Sequence, residues 1–179
     1  MLMFWALNVR LTVTAWPSER VSSSLKLTFA GISDTAPDLA RRRTTVSASV
    51  AIAAAAGVSV FATGGIGGVH RGSELTGDIS ADLDAIASHP VITVSAGAKA
   101  FLDLPRTLEF LETAGAPVLG WQHDWFPAFY TRSSGLPVPH RVDSADEVAR
   151  IFGSRSRDAS GMLLTVPIPE AAELDAAEL

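Results

Sequence analysis

The 179 residues are 47% apolar and 18% charged, with a net charge of −5 and no cysteine. That composition supplies the core of one globular domain and argues against disorder. It excludes a disulfide scaffold, cysteine-ligated zinc and a thiol nucleophile, and it offers nucleic acid or an anionic membrane no broad basic surface.

The apolar start Met1–Leu7 lacks a basic flank and is interrupted by Asn8 and Arg10. It therefore reads as neither a signal peptide nor a membrane anchor, and a cytoplasmic protein is expected. Val9–Ala15 alternates like a strand. Pro17, the serines at 22–24 and Gly31–Pro37 read as loops, and Arg41–Arg43 as a solvated turn.

The chain becomes regular beyond residue 43. Ala-rich Thr44–Ala56 predicts a buried helix ended by Gly57. Val58–Ala62 predicts a strand that runs into the glycine-rich stretch 63–72, and Ser80–Ser88 a short helix closed by His89 and Pro90. Val91–Ser95 predicts a second strand, followed by Ala96-Gly97-Ala98-Lys99. Ala100–Ala114 carries Phe101, Leu104, Leu108 and Leu111 at helical spacing, with Pro105 marking a kink or restart. Pro117–Gly120 predicts a third strand, Ser144 with Glu147 a capping box for a helix to about Phe152, and Met162–Val166 a fourth strand. Apolar strands alternating with helices imply a parallel sheet covered on both faces. The expected fold is α/β, a three-layer α/β/α arrangement with a mainly parallel, incomplete central sheet. Functional groups should gather beyond the carboxyl ends of the strands, where 63–72, 96–99 and 121–133 fall.

Four features could carry chemistry. The glycines at 64, 65, 67, 68 and 72, with His70 and Arg71, read either as a tight turn or as a loop whose bare N–H groups cradle an anion. The spacing fits neither the dinucleotide fingerprint nor a Walker loop. Asp78 and Asp82 would share a face if both lay on a helix, which suits a hard cation such as manganese or magnesium. The plainer reading is negative charge at a helix N-terminus. Lys99 is one of only two lysines among 14 basic residues, and small neighbours would desolvate its amine as a Schiff-base lysine requires. Snorkelling to the surface is the alternative. The other lysine, Lys26, reads as surface. The aromatic stretch Trp121–Arg132 either walls a pocket or roofs the sheet.

Taken together, Phe61–Gly72, Asp78–Leu83 and Ala96–Lys99 closely resemble the pseudouridine-5'-phosphate glycosidase family, also called the indigoidine synthase A-like family. The likeness continues through Thr107–Thr113, Pro127–Phe129, Arg132–Ser134 and Pro167–Glu170. It divides the chain into a divergent segment 1–43, a core 44–170 and a short acidic tail 171–179. The resemblance implies a manganese-dependent enzyme interconverting pseudouridine 5'-phosphate and water with uracil and ribose 5-phosphate. It also implies a homo-oligomer, a trimer in the family, with small-molecule substrates and neither nucleic-acid nor membrane partners. In that reading Lys99 is the imine-forming nucleophile, His70 a catalytic-site histidine, and Asp78 the manganese ligand. Val46, Ser80, Ala81 and Asp82 contact the substrate.

The departures matter as well. The family's acidic Glu-Ser-Thr motif and its second substrate lysine are absent from residues 1–43, where Glu19 is the only glutamate, and Leu75 and Gly77 replace the usual histidine and phenylalanine. A truncated or rearranged member is expected. Without a positioned acid, worth about 10²–10⁴-fold, it would turn over slowly. The rival readings are a non-catalytic remnant that binds a sugar phosphate or associates with a full-length homologue, and a nucleotide-binding module resting on the glycine loop alone.

Overall fold

A computed structural model describes residues 45–155 and 161–174. The strand expected at Val9–Ala15 and the divergent segment 1–43 lie outside the described residues. The elements in order are α1 (Thr45–Ala55), β1 (Val60–Ala62), α2 (Ser73–Thr76), α3 (Ala81–Ser88), β2 (Ile92–Ser95), α4 (Leu104–Thr113), β3 (Val118–Trp121), β4 (His140–Val142), α5 (Ala145–Gly153) and β5 (Met162–Thr165). A 3₁₀ turn follows at Glu170–Ala172.

The five strands form one sheet in the order β1-β2-β5-β3-β4, and every pairing is parallel. Alternation along the strands sorts their side chains onto two faces. Ile92, Val94, Leu119, Val142, Met162 and Leu164 line one face, where α5 supplies Val148, Ile151 and Phe152. On the other, Val118 and Leu163 meet Leu83 and Ile86 of α3 and Leu111 of α4. Outside that layer, α1 packs Val50 and Ala53 on Ala85. Each fully buried Val, Leu, Ile or Met among them contributes about 1.5–3 kcal/mol of burial against the entropy of ordering the chain. The layers are therefore helices, parallel sheet and helix, as the apolar strands require.

Local chemistry sets the helix starts. Ser144 accepts the Glu147 N–H at 3.2 Å, and the Glu147 carboxylate returns a bond to the N–H of Asp143. This is the expected capping box with its return bond one residue early. The helix expected from Ala100 begins instead at Leu104. Asp103 caps it by accepting the Arg106 N–H at 3.1 Å, and Pro105 sits in the first turn, where a missing N–H costs nothing, rather than at a kink. Sequence periodicity does not find α2 or β4. The four residues of α2 lie between two glycines in left-handed conformation, and β4 has three residues of which only Val142 is buried.

Because the sheet is parallel, the loops 63–72, 96–103 and 122–139 leave it at the same edge. The last of these is anchored by Arg141, which donates at 3.0 Å to both Asp143 and Asp124. Those two hydrogen bonds hold the guanidinium above its ordinary pKa. Among the described residues no helix is long and apolar enough to cross a membrane.

Candidate active site

A cavity of about 270 Å³ opens where the glycine loop meets the loop after β2. Its wall contains Val46 from the start of α1, Gly65, Ile66, Gly67 and His70 from the glycine loop, and Ser80 and Asp82 from the start of α3. Lys99, Phe101 and Leu102 close the other side. Five residues expected at the site, Val46, His70, Ser80, Asp82 and Lys99, thus converge although 53 positions separate the outermost two. Ala81 occupies the first turn of α3, and neither it nor Asp78 lines the cavity.

Asp82 organises this wall. It is 3% exposed, and its two carboxylate oxygens accept backbone N–H groups from different elements. Oδ1 takes Ser47 at 3.0 Å and Oδ2 takes Gly67 at 2.8 Å. One side chain at the N-terminus of α3 thereby ties α1 to the glycine loop, in a position the helix dipole favours for a negative charge. Ser80 caps the same helix, its Oγ accepting the Asp82 N–H at 3.3 Å.

Four amides of the glycine loop are committed to the fold. The N–H of Ile66 goes to Gly97 O, that of Gly67 to Asp82, that of Val69 to Thr107 Oγ1 and that of His70 to Asp78 O. Those amides serve the fold. The glycines are there because neighbours press on the backbone: a Cβ at Gly67 would overlap Ser80 Oγ, and one at Gly68 would lie 2.5 Å from Thr107 Oγ1. Thr107 is fully buried, accepts Val69 at 2.9 Å and donates to Asp103 O at 2.7 Å. Thr107 is not among the apolar residues whose spacing predicts this helix, and no local pattern marks its role as a strut.

The sequence leaves alternatives open at Asp78 and Lys99. Asp78 and Asp82 do not share a helix face, because α3 starts only at Ala81 and Asp78 precedes its cap. Asp78 is exposed, with Oδ2 3.6 Å from Nδ1 of His70. Of the two readings of Lys99, desolvated among small residues or reaching to the surface, the structure shows the second: it is exposed at the cavity, its Nζ 6.0 Å from the centre of the Phe101 ring. That distance is at the outer limit of a cation–π contact. Among the described residues no group of three or more histidines and carboxylates is placed to share a metal ion.

The profile of a family described as indigoidine synthase A like protein matches residues 18–179, so the match reaches back into the segment where the quoted motifs are missing. The chain is 56% identical over 140 residues to a pseudouridine-5'-phosphate glycosidase from Methylobacterium nodulans, covering 76% of this chain and 41% of that one. It is 57% identical over 138 residues to another from a Jannaschia species, covering 76% and 46%. A crystal structure of an indigoidine synthase A-like protein from Thermotoga maritima superposes with a TM-score of 0.69 at 37% identity, over 75% of this chain and 46% of that one. A prealnumycin C-glycosynthase in complex with ribulose 5-phosphate gives 0.70 at 43% identity, over 75% and 45%. The chain spans less than half the length of each of these four relatives.

Proposed function

This chain belongs to the indigoidine synthase A like protein family, and on that premise we propose that its cavity is the nucleophile-bearing part of a pseudouridine-5'-phosphate glycosidase site. The carrying observation is the convergence of Lys99 with His70, Ser80, Val46 and the glycine loop on one cavity. The names of the glycosidase relatives, and the sugar phosphate bound by the structural neighbour, support the same reading.

The bond to be broken joins two carbons, and carbon leaves poorly, so oxocarbenium hydrolysis alone is insufficient. The Lys99 amine bonds to C1' as the C1'–O4' bond breaks and O4' takes up the proton the amine loses. The nitrogen lone pair then forms the imine as the C–C electron pair moves to the uracil carbon, which takes up a proton, and water hydrolyses the imine to ribose 5-phosphate and the free lysine. His70 stands at the same cavity, within reach of a reacting group as an acid–base residue must be, with Asp78 Oδ2 3.6 Å from its Nδ1. Asp82 shapes the wall, because backbone amides occupy both of its oxygens.

A manganese ion would be held as a mostly hydrated cation on the exposed carboxylate of Asp78, one carboxylate being a donor set that suits hard ions which keep their waters. Bound, it would supply positive charge for the sugar phosphate. The same reading carries a homo-oligomer, the family-type trimer, acting in the cytoplasm. Borohydride reduction with ribose 5-phosphate tests the site: one stable sugar adduct is expected at Lys99. An adduct at Lys26 alone, or none, overturns the assignment.

A further inference from the structure

Loop 122–139 contains the dense aromatic stretch that the proposed chemistry leaves unused, and it holds two non-glycine residues at positive φ, Gln122 at 58° and Phe129 at 66°. Bulky side chains rarely adopt that conformation. At Phe129 it belongs to a γ-turn, closed by the Tyr130 N–H donating to Ala128 O at 2.8 Å. Glycine would make this turn without strain, so the ring needs another explanation. The ring lies directly on the glycine loop: a Cβ at Gly65 would overlap it, and one at Gly64 would touch it at 3.4 Å. Gly65 lines the cavity and Phe129 does not. The aromatic ring thus stands behind the wall, not in it.

The same segment grips the lysine loop. Phe129 donates its N–H to Ala96 O at 2.9 Å, and Ala128 forms a bridge with Gly97. Gly97, at φ 86°, lies so close under Pro127 O that no side chain would fit. The two gripped loops are joined in turn, Ala96 donating to Gly64 O and Ile66 to Gly97 O, both at 3.0 Å. The Tyr130 ring meets Phe129 edge-on, 4.4 Å between centres.

We propose that Phe129 is a positioning residue, which clamps Gly64–Gly65 onto the loop carrying Lys99 and so fixes the distance between the cavity wall and the reactive amine. This rests on the reading of the cavity as the sugar-phosphate site, and the test separates the two. Borohydride trapping at Lys99 is followed across ribose 5-phosphate concentrations, and backbone amide exchange is measured at Ile66 and Val69. For Phe129→Ala, half-saturation rises about tenfold, since misplacement near 1 Å is felt strongly, while the limiting rate changes less. Exchange speeds up at Ile66 but not at Val69, which Thr107 holds. Phe129→Leu restores most of both. Gly65→Ala alone weakens trapping comparably by meeting the ring, and adding Phe129→Ala makes it no worse. Wild-type trapping and Ile66 exchange in Phe129→Ala overturn the proposal, as does equal acceleration at Ile66 and Val69, which marks general loosening. If the wild-type protein traps no sugar, the proposed function fails, and the exchange measurements alone decide the role of Phe129.

Discussion

Between Gly64 and Val69 the backbone is pressed from three sides, by Phe129, by Ser80 with Asp82, and by Thr107, whereas across the cavity Lys99 and Phe101 stand exposed. The first loop is determined by groups from three elements and has little freedom left to lose when a ligand arrives. The second keeps a long side chain able to reach a reacting carbon. A covalent mechanism gains from this division, because the wall is ordered in advance and only the lysine has to be fixed during reaction. Substitutions in the two loops should therefore differ in kind, those at the lysine removing chemistry and those at the wall removing stability and affinity together.

The largest contrast is expected at Lys99. Lys99→Arg should abolish reductive trapping of ribose 5-phosphate, since a guanidinium stays protonated and cannot form the imine. The urea midpoint should move little, as for exposed substitutions generally, within about 0.5 kcal/mol. A coupled fall of stability and trapping would mean that the Lys99 side chain, and not only the backbone beneath it, is built into the fold.

At the wall, Asp82→Ala strands the N–H groups of Ser47 and Gly67, which lie in different elements. Leaving a buried donor unmade costs about 1–3 kcal/mol, so the two together predict a loss of about 2–6 kcal/mol in urea unfolding, with sugar-phosphate affinity falling as well. Asp82→Asn should lose less, because one oxygen still accepts. Thr107→Val keeps the shape and removes a single acceptor, that of Val69, for about 1–3 kcal/mol by the same rule. Equal effects at Asp82 and Thr107 would indicate that α1 is not held through Asp82.

Fold and site were legible in the sequence to different depths, for physical reasons. The parallel sheet shows in Val91–Ser95 and Met162–Val166, because strands buried on both faces must be apolar throughout. The cap at Ser144 shows because few residue types satisfy a helix start, whereas Ser80, expected inside its helix, turns out to be the cap. β4 does not show, since one buried valine carries no period. Resemblance found Lys99, His70, Ser80 and Val46, residues that share the cavity but no local pattern. The work of Asp82 inside the wall, and the struts Thr107 and Phe129 behind it, depend on which backbone N–H or glycine each one meets. Those partners lie 15, 35, 38 and 64 positions away in sequence, beyond the reach of any local spacing rule.

The smallest expected effect tests the other end of the same short segment. Asp78 lies four positions before Asp82, yet its carboxylate is exposed and faces His70 across 3.6 Å, a geometry in which a surface ion pair contributes little. Asp78→Asn should leave the urea midpoint within about 0.5 kcal/mol of wild type. What it should change is manganese binding: with one carboxylate as the protein's contribution to a hydrated ion, its loss removes the anchor and leaves only solvent. Calorimetric titration or water-proton relaxation should then show manganese affinity falling at least about tenfold, which corresponds to about 1.4 kcal/mol. The same titration of Asp82→Asn serves as the control, since a buried carboxylate already satisfied by two amides has no reason to hold a hydrated cation. Unchanged affinity in Asp78→Asn, or a larger loss in Asp82→Asn, would move the metal to the wall of the cavity and reverse the roles assigned to the two carboxylates.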